Sequence, residues 1–260
     1  MDKELQFKGY DEFRSRIVVH GFISPNNGVA VAVDKTLPVN DVTSDSYLED
    51  AVIVLFEDGN PILNLVEIDS GFFTSPTSFT PSVGKGYHIE VTAPGFKEVI
   101  STVQYLVPEI SLDSLLLVRD SLTHRGYYLN FSFKDPPELK NYYHFEYLST
   151  DVPEYTFPYN EDREFILGSF SDNSFNGEYV WQTVQYSDRF NDPGTTVING
   201  YLFSLSEDFN KFIESLDEYE YTKQTIFFPV TSSVYSNIAG GYGIFASYTY
   251  SIKYITHIID

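Results

Sequence analysis

The chain has 260 residues and a formal charge of −21, from 37 acidic against 16 basic side chains, with no cysteine. The charge repels phosphate backbones, so no nucleic-acid partner is expected, and an anionic lipid surface would not hold the chain by bulk charge. The missing cysteine excludes disulfides, cysteine–zinc sites and thiol catalysis. With 42% hydrophobic residues, 21 Tyr and 22 Phe, the chain can bury a core and favours pleated, half-buried surfaces.

Residues 1–13 read as an N-terminal extension. From 14 to 108 short strands recur at the spacing of a β-sandwich. "VAVAV" at 29–33 alternates, and two apolar runs flank the hairpin signal Asp58-Gly59-Asn60-Pro61. In "GYHIEVTA", Tyr87, Ile89, Val91 and Ala93 share one face, and His88, Glu90 and Thr92 share the other. Pro108 marks a boundary, because proline donates nothing to a ladder. Residues 109–260 then read as a second antiparallel β-rich domain, sandwich or barrel, carrying one helix. The predicted fold class is therefore mainly β.

In the second part, Tyr127, Leu129, Phe131 and Phe133 alternate, as do Tyr143, Phe145 and Tyr147. This pattern puts His144 on an outer face, as it does His88. A helix is predicted over about 207–221, since Phe209, Phe212, Ile213 and Leu216 form one stripe. Ser206 suits its N-cap, and Glu207 and Asp208 suit its first turn.

Residues 149–164 read as a long loop. Tyr155, Phe157 and Tyr159, with Trp181 nearby, are the candidate ligand-binding residues, because aromatics on loops carried by a rigid sheet commonly contact sugars or peptides. "DNSFNG" carries Asp172, Ser174 and Asn176 at the first three odd positions of a calcium loop, but Thr183 stands where its bidentate glutamate belongs. A hairpin turn fits better, and no metal is expected.

"SNIAGGYGIFA" contains the spacing of a dinucleotide-binding turn. Such a turn needs a helix start to hold the pyrophosphate. Ile244 to Tyr254 instead alternate as a strand, so Gly240, Gly241 and Gly243 are read as structural glycines that permit positive φ or close backbone approach. No cofactor is expected. The chain contains none of the phosphate-loop, zinc-protease or nucleophile-elbow patterns, and no catalytic residue is assigned.

Several stretches occur together in one order: "RIVVHGFISPNNGVAVAV", "EDAVIVLFEDGN", "DSGFFTS", "VGKGYHIEV", "FKDPPELKNYYHFEY", "SDNSFNGEYV", "SLSEDFNKFIESL" and "SNIAGGYGIFASY". In this the chain resembles a family of outer-membrane lipoproteins of unknown function from Bacteroidota-type bacteria, encoded beside TonB-dependent receptors. The resemblance implies export, a lipidated N-terminal cysteine absent from this chain, and an immunoglobulin-like sandwich ahead of a second β-rich domain. It implies an outer-membrane location, lipid-anchored, on the cell-surface or periplasmic face, with Met1 replacing the removed signal and anchor. Three readings stay open. The first is a non-enzymatic lipoprotein that assists a TonB-dependent receptor by binding the receptor or a peptide or glycan ligand. The second is a structural adhesin- or fimbria-like module, and the third is a carboxylate-based hydrolase.

Overall fold

The computed structural model describes residues 13–38, 41, 44–119, 126–149, 165–186, 194–224 and 233–259. In chain order the strands are β1 (Ile17–Ser24), β2 (Gly28–Lys35), β3 (Val52–Glu57), β4 (Asn60–Asn64), β5 (Val66–Asp69), β6 (Phe72–Thr74), β7 (Gly86–Thr92), β8 (Val99–Ser101) and β9 (Gln104–Tyr105). They continue as β10 (Leu112–Arg119), β11 (Tyr127–Lys134), β12 (Tyr142–Ser149), β13 (Phe165–Ser171), β14 (Tyr179–Tyr186), β15 (Gly194–Leu205), β16 (Ile238–Ala239) and β17 (Tyr242–Ile259). Helix α1 is Glu207–Gln224.

Two facing sheets make the first sandwich, with strand orders β1-β2-β6-β5 and β8-β7-β3-β4. These are the A-B-E-D and G-F-C-C′ orders of an immunoglobulin-like fold. Alternation builds its core: Val29, Val31 and Val33 of β2 and Tyr87, Ile89 and Val91 of β7 are all buried. The Tyr87 hydroxyl accepts the Ser82 N–H at 2.9 Å and donates to Glu57 Oε2 at 2.7 Å. This is a tyrosine corner at the start of the sixth core strand, which pins the preceding loop across the end of the sandwich.

The second sandwich packs the three-stranded sheet β10-β11-β14 onto β13-β12-β15-β17. Phe131 stacks flat on Phe145, with ring centroids 3.8 Å apart. Gly200 makes room for Leu115, whose Cδ1 would lie 2.9 Å from a Cβ built there. Both sheets are open, so this unit is a sandwich and not a closed barrel.

One strand serves both units. Residues 242–247 of β17 pair in parallel with β1, and residues 248–259 pair antiparallel with β15. One eight-stranded sheet therefore runs the length of the molecule. The first apolar cluster draws on residues 17–106 and, from far along the chain, on Ile238 and Phe245. Small hydroxyl residues of β17 hold the connection between β9 and β10. Ser247 Oγ donates to Tyr105 O at 2.6 Å, and Ser251 Oγ donates to Ile110 O and accepts the Leu112 N–H, both at 2.8 Å.

Helix α1 lies on the other face of this long sheet, across the seam. Phe209 and Phe212 are buried, and Ile213 and Leu216 are half-buried against the same cluster. That cluster takes Phe22 from β1, Tyr142 from β12 and Phe203 from β15, and Phe22 and Phe209 rings lie 4.8 Å apart. Ser206 caps the helix, its Oγ accepting the Phe209 N–H at 3.4 Å. No helix among the described residues is long and apolar enough to cross a membrane.

His144 is not on an outer face, contrary to the expectation from alternation. Strand β12 is covered on one side by the three-stranded sheet and on the other by the layer under α1. His144 and Glu146 are each 2% exposed, and His144 Nε2 lies 2.9 Å from Glu146 Oε1.

Candidate functional site

Polar side chains converge at several places, and most of these are closed to solvent. The His144–Glu146 pair is buried beneath α1. A second cluster joins two loops of the second sandwich. Asp135 is fully buried: its Oδ1 accepts from the Tyr143 hydroxyl and from Asn141 Nδ2, and its Oδ2 accepts the Gly177 N–H at 2.7 Å. Burial first, and the neighbouring Asp135 next, push the Tyr143 phenol far above its usual range.

The calcium-loop candidates belong to the same cluster. Asp172 is buried, and its Oδ2 accepts the Asn141 N–H at 2.8 Å, while the Asp172 N–H donates back to Asn141 O at 3.1 Å. Ser174 and Asn176 are exposed. The carboxylate thus closes a turn against Asn141. Among the described residues no group of three or more His, Asp or Glu side chains could hold a metal.

A third cluster sits at the seam around Asp208. Its Oδ1 accepts the Tyr235 hydroxyl at 2.7 Å. Its Oδ2 accepts from Gln104 Nε2 at 2.7 Å and from Asn237 Nδ2 and Thr102 Oγ1 at 3.0 Å each. Burial pushes this carboxyl up, but the four hydrogen bonds outweigh it and hold the group below its ordinary value.

The turn glycines stand beside this cluster. Gly240 and Gly243 adopt φ of +87° and +102°. A Cβ on Gly241 would lie 2.6 Å from Ile17 O, and one on Gly243 would fall on the Val19 carbonyl oxygen. Strand β1 runs against this turn too closely for any side chain, and no helix follows it.

The open surface is the outer face of β10-β11-β14. Inward positions of β14, Val180, Val184 and Tyr186, are buried, which turns Tyr179, Trp181, Thr183 and Gln185 outward. Across the ladder these stand opposite Lys134, Ser132, Asn130 and Tyr128, and beyond them lie Ser114, Leu116 and Val118. Trp181 is 61% exposed, and Tyr128, Tyr179, Leu116 and Val118 are exposed as well. The Tyr179 and Trp181 rings are 5.8 Å apart, tilted by 52°. Tyr179 is held by a hydrogen bond of 3.1 Å between its hydroxyl and Ser132 Oγ, which in turn bonds Ser114 Oγ at 2.6 Å. The eleven paired outward positions carry one charge, Lys134, whose Nζ donates to Gly177 O, and Asp113, exposed at the β10 bulge beside Ser114, adds a carboxylate at the edge of the face.

Of the ligand candidates in the sequence, Trp181 stands on this face, while Tyr155, Phe157 and Tyr159 lie outside the described residues. Sequence reasoning missed Tyr128 and Tyr179. Their signal was parity: in "EYVWQTVQY" the aliphatic residues take one parity, and Tyr179 and Trp181 take the other.

A family model described as a domain of unknown function (DUF4249) matches residues 2–253. No curated protein matches the chain.

Proposed function

The chain belongs to the DUF4249 family, a domain of unknown function, and on that premise we propose that it is a non-enzymatic capture protein, lipid-anchored at the outer membrane, that takes a neutral glycan on its aromatic sheet face and serves a TonB-dependent receptor. One observation carries the reading: Trp181 and Tyr179 stand side by side on a sheet face whose paired outward positions carry no acid, in a chain of charge −21. Aromatic rings offer apolar faces with polar edges, and Asn130, Thr183 and Gln185 supply hydrogen-bonding groups between them. A face with so little charge suits an uncharged, hydroxyl-rich ligand. The closest histidine–carboxylate pair, His144 with Glu146, and the carboxylates Asp135 and Asp172 are buried, which supports the non-enzymatic reading over a hydrolase. Where β4 and β5 end their sheets they are short and carry Pro61, Glu67 and Asp69, features that discourage strand addition at those two edges.

The test is calorimetric titration of the parent and its variants with a panel of neutral oligosaccharides. Binding that Trp181→Ala and Tyr179→Ala each weaken, with the fold intact, supports the proposal. A panel without binding, or binding indifferent to both substitutions, overturns the site. Co-purification of the membrane-anchored form with a TonB-dependent receptor from its native outer membrane tests the partner separately.

A further inference from the structure

A second site lies where the chain enters β1, next to the start of β17. Two adjoining clefts, of about 570 and 640 Å³, share Arg14 and Arg16. The first is completed by Phe13, Thr36 and Tyr242, and the second by Gly95, Phe96, Lys97 and Gly240 with Ser15 and Ile17. Among the described residues, no acidic side chain lines either one. In a chain with 37 acids and 16 bases, three cations line adjoining clefts with no carboxylate among the described lining residues, against the sign of the overall charge.

Lys85 bridges Asp58 at 2.6 Å and Lys211 bridges Glu207 at 2.9 Å, but Arg14, Arg16 and Lys97 make no ion pair among the described residues. Their backbone is nevertheless fixed. Ser15 Oγ donates to Thr36 O at 2.6 Å, the Arg16 N–H donates to Thr36 Oγ1 at 3.0 Å, and the Thr36 N–H donates to Arg16 O at 2.9 Å. The Arg16 guanidinium is steered by Tyr242, 5.5 Å from the ring centroid with Nη1 3.4 Å from the hydroxyl. Gly95 and Gly240, both at positive φ, bring bare backbone to the wall opposite. Guanidinium forks match the oxygens of tetrahedral oxyanions, and Lys97 adds a point charge.

We propose that these clefts form one binding site for a phosphate-class dianion, either a free phosphate or pyrophosphate or a phosphorylated headgroup, with Arg14, Arg16 and Lys97 as its ligands. The site is independent of the aromatic face and of the receptor role.

Calorimetry with inorganic pyrophosphate at low ionic strength tests it, using the whole chain, Arg14→Gln/Arg16→Gln, Lys97→Gln and, as a control of equal charge change, Lys85→Gln. One saturable site is expected. The double variant should weaken it by roughly tenfold or more, Lys97→Gln less, and Lys85→Gln by less than about twofold, since a remote cation acts only through a screened field. Flotation with phosphatidylcholine vesicles, with and without phosphatidate, separates the two sources. Binding to phosphatidate vesicles but not to pyrophosphate, lost in the double variant, assigns the headgroup; solution binding assigns the free anion. No binding in either arm, or equal losses in the pocket and Lys85 variants, overturns the proposal.

Discussion

The Asn237 side chain pairs with the backbone of Phe245 as a strand would: its Nδ2 donates to Phe245 O at 2.8 Å, and its Oδ1 accepts the Phe245 N–H at 2.9 Å. The same Nδ2 reaches Thr102 Oγ1 and Asp208 Oδ2, both at 3.0 Å. One buried amide thus links the start of β17, the end of β8 and the first turn of α1. Asn237→Ala leaves the Phe245 N–H and Asp208 short of partners in a buried place, so a loss on the order of 1–3 kcal/mol is expected. Asn237→Asp should cost more near neutral pH, because a carboxylate would face both Phe245 O and Asp208. Urea unfolding of the two variants checks the order; equal losses would remove the amide donor from the account.

Asp208 gives this junction a pH dependence. Its folded pKa is depressed, so its contribution is complete above the unfolded value, about 3.9, and is lost as pH falls through the folded value. Asp208→Asn should therefore be less stable than the parent near neutral pH and should show a shallower loss of stability on acidification. The check is the urea midpoint measured from neutral to strongly acidic pH. Parallel curves for parent and variant would show that the four hydrogen bonds do not favour the carboxylate.

Parity in the sequence shows faces only where one side of a sheet meets water. Tyr87, Ile89 and Val91 are legible because His88 and Thr92 stay partly or fully exposed. In "NYYHFEY" the same alternation misplaces His144, since α1 closes the second face and both parities are buried. The helix stripe is legible because its period is local. The return of β17 to β1 is not, because the pairing of Val18 with Tyr242 joins residues more than two hundred apart with no local mark. The crowding glycines hint at it, as they need a second backbone close by. The sequence points to Trp181 for lying beside a loop, whereas the structure places it on a sheet face, where its neighbours Tyr179 and Tyr128 come from strand register.

Gly243 and Gly84 share a positive φ but differ in surroundings. Gly84 has φ +83° and nothing within 4 Å of the place a Cβ would take, whereas a Cβ on Gly243 meets Val19. Gly84→Ala should cost only the backbone strain, about 1–3 kcal/mol. Gly243→Ala should cost clearly more, because the parallel ladder between β1 and β17 must open to admit the methyl. Thermal melts of the two variants decide this, and equal midpoints would mean that β1 yields without loss.

The buried His144–Glu146 pair predicts a non-additive pair of substitutions. Each side chain is 2% exposed, and the 2.9 Å contact joins them within one strand, two residues apart on the same face. Removing one member leaves the other polar group buried without this partner, a penalty of about 1–3 kcal/mol. Removing both, in His144→Phe/Glu146→Leu, replaces the pair with apolar volume beside Phe203, whose ring already lies 5.8 Å from that of His144. The double variant should therefore be more stable than the sum of the single losses implies, by roughly 0.5–3 kcal/mol as coupled neighbours show. A double-mutant cycle in urea measures the coupling. Strict additivity would mean that the two side chains are held by separate neighbours and that their contact stabilises nothing.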